Sequence, residues 1–321
     1  MKTKIVLSRH WTPRVEAAAR AAYDVVLNED DRPLTPEELI QRCAGATVFC
    51  PTGTDQIDEN LINRLPDTVK LIANFGAGTD HIDLAAAQAR GLPVSNTAGG
   101  VIDATADLTF GLIIAACRRF AEGEQLMRAD GWQGWAITFM LGSQVSGKTL
   151  GIVGMGGIGS AVARRARGFD MPVIYHNRKP NAEAEKSLGA RYCETLEELL
   201  VAADIVALTC PLTEATYHLI GERQLAMMKN NAVLVNTARG PVVDEAALVR
   251  ALQDGQIAAA GLDVYEQEPE IADSLRQLPN AFLLPHLGTA TIEARDAMGM
   301  IALANIERFL ADGQLLNPVA A

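Results

Sequence analysis

The feature that most constrains this chain is a run of spaced glycines between a predicted strand and a predicted helix. The apolar segment Leu150–Val153 leads into Gly154-Met155-Gly156-Gly157-Ile158-Gly159, and small residues then open a helix. Gly154 would allow a tight turn, Gly156 a close approach to a pyrophosphate, and Gly159 close packing of helix on strand. The helix amino terminus would face the phosphate charge. The alternative is a glycine-rich turn with a structural role only. The pattern favours a dinucleotide site that includes Gly154, Gly156, Gly157, Ile158 and Gly159.

The end of the next predicted strand bears on which dinucleotide is bound. An acidic residue about 20 positions after the glycines usually accepts from the ribose 2′-hydroxyl of NAD. Here that place holds neutral Asn177, followed by the cations Arg178 and Lys179. The two cations could pair with a 2′-phosphate, or they could be solvated surface charges. The sequence therefore predicts NADP as the preferred cofactor, with NAD possible.

The rest of the chain alternates short apolar strands with amphipathic helices, which is typical of an α/β protein with parallel sheets. A length of 321 residues suits two domains. The predicted strands are Lys4–Leu7, Val25–Leu27, Thr47–Cys50, Leu71–Asn74, Pro93–Ser95, Thr149–Val153, Val173–His176, Ile205–Thr209, Ala232–Asn236, Ala258–Leu262 and Phe282–Leu284. The last six would complete a dinucleotide-binding sheet.

Two helical patterns and one loop are also predicted. A helix should begin after Thr35, which can cap it, with proline at the first helical position. A second helical pattern covers Asp103 to about Met127. The following residues, Ala129–Lys148, contain several glycines and read as a long loop or arm. Trp132 and Trp135 in this arm would be buried against a second subunit, or against the chain's own cleft.

Charge and cysteine content exclude several classes of function. A formal net charge of -11 opposes binding to nucleic acid or to an anionic membrane. The five cysteines are scattered, without a Cys-x-x-Cys pair, and are expected to be reduced core residues rather than metal ligands. No secretion signal is recognisable at the amino terminus. We therefore expect a cytoplasmic protein without a bound metal.

Three polar clusters near the carboxyl terminus follow predicted strands, where a doubly wound sheet opens its ligand crevice. Arg239, in the first cluster, can grip a carboxylate and polarise a carbonyl. Asp263 and Glu268 lie in the second cluster, and His286 in the third. A histidine could donate a proton to a ketone oxygen, although it could equally be structural. A glutamate on its other ring nitrogen would fix the tautomer, but spacing alone does not show that Glu268 and His286 meet.

With these residues in view, the sequence resembles the D-isomer-specific 2-hydroxyacid dehydrogenase family, and especially its glyoxylate/hydroxypyruvate reductase branch. The similarity covers nearly the whole chain. It is carried by Asn74–Asp83, Thr105–Asp107, Gly147–Gly151 with the glycine loop, and the three clusters.

The resemblance implies two doubly wound Rossmann-like domains and a homodimer. The outer, substrate domain would be discontinuous, at 1–100 and 285–321, and the dinucleotide-binding domain would run from 101 to 284 with a dimerisation arm at about 118–147. His286 would be the proton donor, Glu268 its partner, and Arg239 the substrate anchor. The amides of Ala77 and Gly78 would receive the substrate carboxylate, and Trp135 would reach the partner's cleft. Further cofactor contacts would be Thr105, Cys210, Pro211, Thr237, Ala238, Asp263 and Gly288.

The activity implied is reduction of glyoxylate or hydroxypyruvate to a D-2-hydroxy acid. Two alternatives stay open, namely a D-lactate or D-3-phosphoglycerate dehydrogenase and a non-catalytic scaffold that senses a dinucleotide. The joint presence of Arg239, Glu268 and His286 favours an enzyme over the scaffold.

Overall fold

The computed structural model describes residues 2–320 and divides the chain into two compact units. Unit 1 comprises Met1–Val101 with Thr289–Ala321, and unit 2 comprises Ile102–Gly288. Each unit contains one sheet with helices on its faces, so the predicted α/β class is confirmed. Among the described residues, no helix is both long and apolar enough to cross a membrane.

The strands of residues 2–320 follow in chain order. They are β1 Lys4–Leu7, β2 Asp24–Val26, β3 Val48–Cys50, β4 Leu71–Ala73, β5 Val94–Ser95, β6 Leu150–Val153, β7 Val173–His176, β8 Arg191–Tyr192, β9 Ile205–Leu208, β10 Val233–Asn236, β11 Ala259–Leu262, β12 Ala281–Leu283 and β13 Pro318–Val319.

The α-helices of the same residues are α1 Pro13–Ala22, α2 Pro36–Arg42, α3 Glu59–Arg64, α4 Leu84–Ala89, α5 Ile102–Cys117, α6 Phe120–Arg128, α7 Gly157–Ala166, α8 Ala182–Leu188, α9 Leu196–Ala202, α10 Glu222–Met227, α11 Glu245–Gln253, α12 Asp273–Arg276 and α13 Ile292–Asp312. Short 3₁₀ turns are Arg167–Phe169, Glu214–Thr216 and Gly240–Val242.

Unit 1 contains a sheet of six strands in the order β13-β5-β4-β3-β1-β2. Strands β1 to β5 are parallel, as predicted. Strand β13 adds an antiparallel edge, with Pro318 opposite Ser95, that the sequence analysis did not predict. A strand of two residues is too short to show a periodic pattern, and its pairing depends on α13 returning the chain to this sheet.

Unit 2 contains a fully parallel sheet in the order β12-β11-β10-β9-β6-β7-β8. It has seven strands rather than the six predicted, because the two-residue β8 pairs with β7 at the edge. The strand order reverses at β6, which lies between β9 and β7. Ligands of such sheets bind beyond the carboxyl ends of the strands at this switch point.

Most of the unit 2 strands are largely apolar because helices cover both faces of the sheet. In β9, for example, Ile205 and Ala207 enter one apolar core while Val206 and Leu208 enter the core on the opposite face. The strands are held in register, so that Val153, Leu208, Asn236 and Leu262 end at one edge. The polar residues that follow them are therefore brought together.

The predicted cap at Thr35 is present, since its side chain accepts from the Glu38 amide in a capping box with α2. The single helical pattern predicted from Asp103 to Met127 is instead two helices, α5 and α6, which separate at Arg119 with a left-handed φ of 56°. The amide of Ser143 donates to the Cys117 carbonyl at 2.8 Å and ends α5. This break depends on a contact with a residue distant in the sequence, so the residues near Arg119 do not predict it.

Candidate active site

The glycine loop after β6 is shaped by close backbone approaches. Gly154 has a φ of 102°, and a Cβ atom there would lie 2.6 Å from the Cys210 nitrogen. A Cβ atom on Gly159 would lie 2.3 Å from the Gly154 oxygen, so helix α7 packs directly on the loop. A Cβ atom on Gly156 would meet nothing within 4 Å. Gly156 thus leaves open space at the amino terminus of α7, which is where a pyrophosphate would fit.

Two asparagines hold this loop from the neighbouring strand and helix. The Met155 amide donates to Asn177 Oδ1 at 2.7 Å, and Asn181 Nδ2 donates to the Met155 oxygen at 2.9 Å. Asn181 also caps α8. In the sequence, an asparagine at a helix start indicates a cap and does not indicate contact with the glycine loop. Arg178 and Lys179 are exposed, and no acidic side chain of residues 2–320 pairs with them.

Four other proposed cofactor residues of unit 2 follow strand ends, namely Cys210, Pro211, Thr237 and Ala238, and Thr105 lies in α5. Cys210 is buried beside Gly154, and Pro211 continues from it. Thr109 joins Thr105 to Thr237, donating to the Thr105 oxygen at 2.7 Å and meeting the Thr237 hydroxyl at 2.7 Å. The adjacent Ala238 amide donates to Asn236 Oδ1 at 3.0 Å.

Glu268 and His286 meet directly, which the sequence could not show. His286 Nδ1 lies 2.6 Å from Glu268 Oε2, and the Tyr265 amide donates to Glu268 Oε1 at 3.0 Å. His286 has a left-handed backbone conformation, with a φ of 54°. Both side chains remain partly exposed, at 48% for His286 and 33% for Glu268. The imidazole is therefore oriented and still accessible to a small molecule.

The surroundings of the Glu268 carboxyl favour its ionised form, which accepts hydrogen bonds. Burial disfavours its charge, but the hydrogen bond and charge of His286, the Tyr265 amide and the charge of Arg239 together lower its pKa. An ionised Glu268 holds the hydrogen of His286 on Nδ1 and leaves Nε2 free to exchange a proton with a substrate.

Asp263 supports the segment that carries His286. Its two carboxylate oxygens accept from the Leu287 amide at 2.6 Å and the Gly288 amide at 2.8 Å, and its carbonyl accepts from the His286 amide at 3.0 Å. Burial raises the pKa of Asp263, and these amides oppose that effect. A Cβ atom on Gly288 would lie 3.2 Å from Asp263 Oδ2 and 3.6 Å from Thr105, so these three residues adjoin.

Arg239 stands at the start of the 3₁₀ turn that follows β10. Asn236 Nδ2 donates to the Arg239 oxygen at 2.9 Å, and Arg239 Nη1 donates to the Ala238 oxygen at 2.7 Å. Its guanidinium contributes to the lowered pKa of Glu268, so the cation and the His–Glu pair belong to one cluster. The cluster can bind a carboxylate and move a proton, while no group of three metal-ligating side chains occurs among residues 2–320.

Ala77 and Gly78 lie in a turn of unit 1. Asn96 Nδ2 donates to the Ala77 oxygen at 2.9 Å, and Asn74 Nδ2 donates to the Gly78 oxygen at 2.9 Å. An amide can bind an anion only if it does not already donate to another acceptor. Within residues 2–320 neither the Ala77 nor the Gly78 amide donates a hydrogen bond, so both meet this requirement. Trp135 lies in the arm of unit 2 and is 79% exposed.

The chain is similar to proteins of one known family. Residues 110–288 match the family described as D-isomer specific 2-hydroxyacid dehydrogenase, NAD binding domain. The chain is 41% identical over 319 residues to a glyoxylate reductase of Thermococcus litoralis, covering 98% of this chain and 96% of the relative.

Two solved structures have the same fold along their length. A glyoxylate reductase from Paecilomyes thermophila superposes with a TM-score of 0.88 at 39% identity, covering 99% of this chain and 98% of that one. An NADPH-dependent glyoxylate/hydroxypyruvate reductase from Sinorhizobium meliloti, in complex with NADP and malonate, has a TM-score of 0.88 at 32% identity, covering 100% of this chain and 97% of the other.

Proposed function

The chain belongs to the D-isomer specific 2-hydroxyacid dehydrogenase family, and we propose that it reduces glyoxylate and hydroxypyruvate, with NADPH preferred to NADH. The observation that carries this proposal is the 2.6 Å contact between His286 Nδ1 and Glu268 Oε2, with Arg239 in the same cluster. A scaffold that only sensed a dinucleotide would not need an oriented, accessible imidazole beside an arginine.

The residues of unit 2 have complementary roles in this reaction. A nicotinamide dinucleotide held at the glycine loop would supply the hydride to the carbonyl carbon. His286 delivers the proton from Nε2 to the carbonyl oxygen, because Nδ1 is held by Glu268. The Glu268 carboxylate accepts the hydrogen bond from Nδ1 and keeps the ring oriented while the proton leaves from Nε2. Arg239 binds the substrate carboxylate and draws electron density from the carbonyl. In unit 1, the amides of Ala77 and Gly78 are proposed to bind a substrate carboxylate.

The preference for NADPH rests on the end of β7. Asn177 carries no charge to repel a 2′-phosphate, and its Oδ1 is already engaged by the Met155 amide. Arg178 and Lys179 are exposed cations without acidic partners in the described chain. Both could form charge-assisted hydrogen bonds with the phosphate, which NADH lacks.

We further propose a homodimer formed through the arm of unit 2. Trp135 and Ile137 are 79% and 80% exposed, which is unusual for apolar side chains that have no partner. A groove of about 690 Å³ lies beside the arm, with Leu141, Leu252 and Phe282 among its lining residues. A second copy would cover these surfaces, and Trp135 is proposed to reach the partner's site.

We also propose a cytoplasmic location, because all five cysteines are buried and unpaired, as expected in a reducing compartment.

The decisive experiment measures initial rates of nicotinamide oxidation with glyoxylate and hydroxypyruvate, each with NADPH and with NADH. We expect turnover with both acids and a higher kcat/KM with NADPH. Activity with NADH only would refute the cofactor proposal. Activity confined to pyruvate or 3-phosphohydroxypyruvate would indicate the D-lactate or D-3-phosphoglycerate alternative. Dinucleotide binding without any turnover would indicate the scaffold.

A further inference from the structure

Unit 2 contains a second His–Glu pair that the mechanism does not use. His218 Nε2 is hydrogen-bonded to Glu266 Oε1, and both side chains are partly buried, at 33% and 27% exposure. His218 has a left-handed φ of 47°, and its ring stacks on Tyr217 with centroids 4.1 Å apart. A loop histidine held by its backbone, by an aromatic ring and by a carboxylate has a fixed position.

The turn that carries Arg239 is enclosed between the segments of these two residues. On one side, the His218 amide donates to the Pro241 oxygen at 2.8 Å and the Ile220 amide donates to the Val242 oxygen at 3.1 Å. On the other side, a Cβ atom on Gly240 would lie 1.8 Å from the Tyr265 carbonyl carbon. The turn therefore has backbone contacts with both segments.

Glu266 links this turn to the proton-transfer pair. It follows Tyr265, whose amide holds Glu268 Oε1 at 3.0 Å. The Glu266 amide donates to Glu245 Oε2 at 3.3 Å, at the start of α11. The bond from Glu266 to His218 thus closes a ring of contacts that runs through the Arg239 turn and the segment of Glu268.

We propose that His218 and Glu266 are a positioning pair that keeps Arg239 and Glu268 in register for the 2-oxo acid; the inference rests on the function proposed above. Neither residue touches the substrate in this role. A charge-assisted bond across the turn fixes the separation of the two segments, and removing His218 leaves Glu266 Oε1 with only the Glu245 amide, 3.5 Å away, as a donor. The backbone bonds to Pro241 and Val242 join the His218 segment to the turn only, and the His218–Glu266 bond joins that segment to Glu266.

The test compares wild type with His218→Ala, His218→Gln and Glu266→Gln. We expect His218→Ala to raise the KM for glyoxylate about tenfold and to lower kcat, while NADPH affinity and the thermal midpoint stay near wild type. Glutamine at 218 retains an N–H donor, so it should restore most of the loss. Combining His218→Ala with Glu266→Gln should cost no more than either change alone. The matched control is Glu198→Gln, which removes the carboxylate that pairs with Arg191 of the edge strand β8. This change should leave KM, kcat, NADPH affinity and the thermal midpoint at their wild-type values.

Equal losses of NADPH affinity, thermal midpoint and turnover would overturn the proposal, because they would indicate a general structural role. An unchanged KM would overturn it as well. Crystal structures of wild type and His218→Ala give a second reading that does not depend on activity. The proposal requires the Arg239 turn to shift relative to Glu268 in the variant, and an unmoved turn overturns it. A wild type that turns over no 2-oxo acid would instead refute the proposed function.

Discussion

Replacing Asp263 by asparagine separates the positioning of His286 from the stability of the fold. The two carboxylate oxygens of Asp263 accept from the Leu287 and Gly288 amides, at 2.6 and 2.8 Å. Asparagine is nearly the same size but has one acceptor oxygen and one NH₂ group. One of the two amides must then face a donor, and the segment that carries His286 is no longer held at both points.

The magnitude follows from the bond that is lost. A hydrogen bond to a charged group contributes about 1.5–3 kcal/mol. If misplacement of His286 costs the transition state about 2 kcal/mol, kcat/KM falls roughly 30-fold. Stability changes less, because burial raises the pKa of Asp263 and the variant no longer buries a charge. We expect the free energy of unfolding to stay within about 1 kcal/mol of wild type, or about 2–4 °C in the midpoint.

The pH dependence has a defined sign. Since the folded protein raises the pKa of Asp263, folding favours the protonated form, and this carboxyl lowers stability as pH rises from its ordinary value through the raised one. Asp263→Asn lacks that loss, so its stability should improve relative to wild type over the same range. Steady-state kinetics and urea unfolding at several pH values measure both effects. An unaltered kcat/KM, or a variant that loses relative stability as pH rises, would refute the reasoning.

Four other changes test separate parts of the structure. His286→Ala should lower kcat by about two orders of magnitude or more while NADPH binding by fluorescence survives; near-normal turnover would contradict its role. Arg178→Ala should raise the KM for NADPH about tenfold and leave the KM for NADH alone, so parallel changes would argue against a 2′-phosphate contact. Gly240→Ala places a Cβ atom 1.8 Å from the Tyr265 carbonyl carbon and should destabilise the protein by at least about 1–3 kcal/mol in urea. Burial raises the pKa of Cys210 to about 11, so iodoacetamide should alkylate it slowly at pH 8 unless the protein is unfolded.

The sequence predicted most of the strand framework because most strands of unit 2 are apolar runs followed by polar residues. In a parallel sheet these runs end at one edge, so Gly154, Arg239 and Asp263 could be assigned to one side before any contact was known. The glycine loop was predictable for the same reason, since its spacing has a direct steric meaning. The spacing of residues along the sequence does not give the distances between their side chains in the folded site. The meeting of Glu268 and His286 also depends on the left-handed backbone at position 286.

Other features were missed because their causes are not local. The separation of α5 from α6 at Arg119 lacks glycine or proline, and it follows from the Ser143 amide reaching the Cys117 oxygen. Strands β8 and β13 have two residues each, which is too short to show the alternation of apolar and polar residues that predicts a strand. Their existence depends on neighbouring strands that offer free edges.

The two histidines that pair with glutamates show why residue type alone could not assign roles. His218 and His286 both have a left-handed φ and both bond to a carboxylate, and their partners Glu266 and Glu268 are two residues apart. Their difference lies in the second ring nitrogen and in what surrounds it. Glu268 holds Nδ1 of His286 and leaves Nε2 for a substrate, whereas Glu266 holds Nε2 of His218 while the backbone of His218 supports the Arg239 turn. We therefore propose proton transfer for the pair of His286 and Glu268, and a positioning role for the pair of His218 and Glu266.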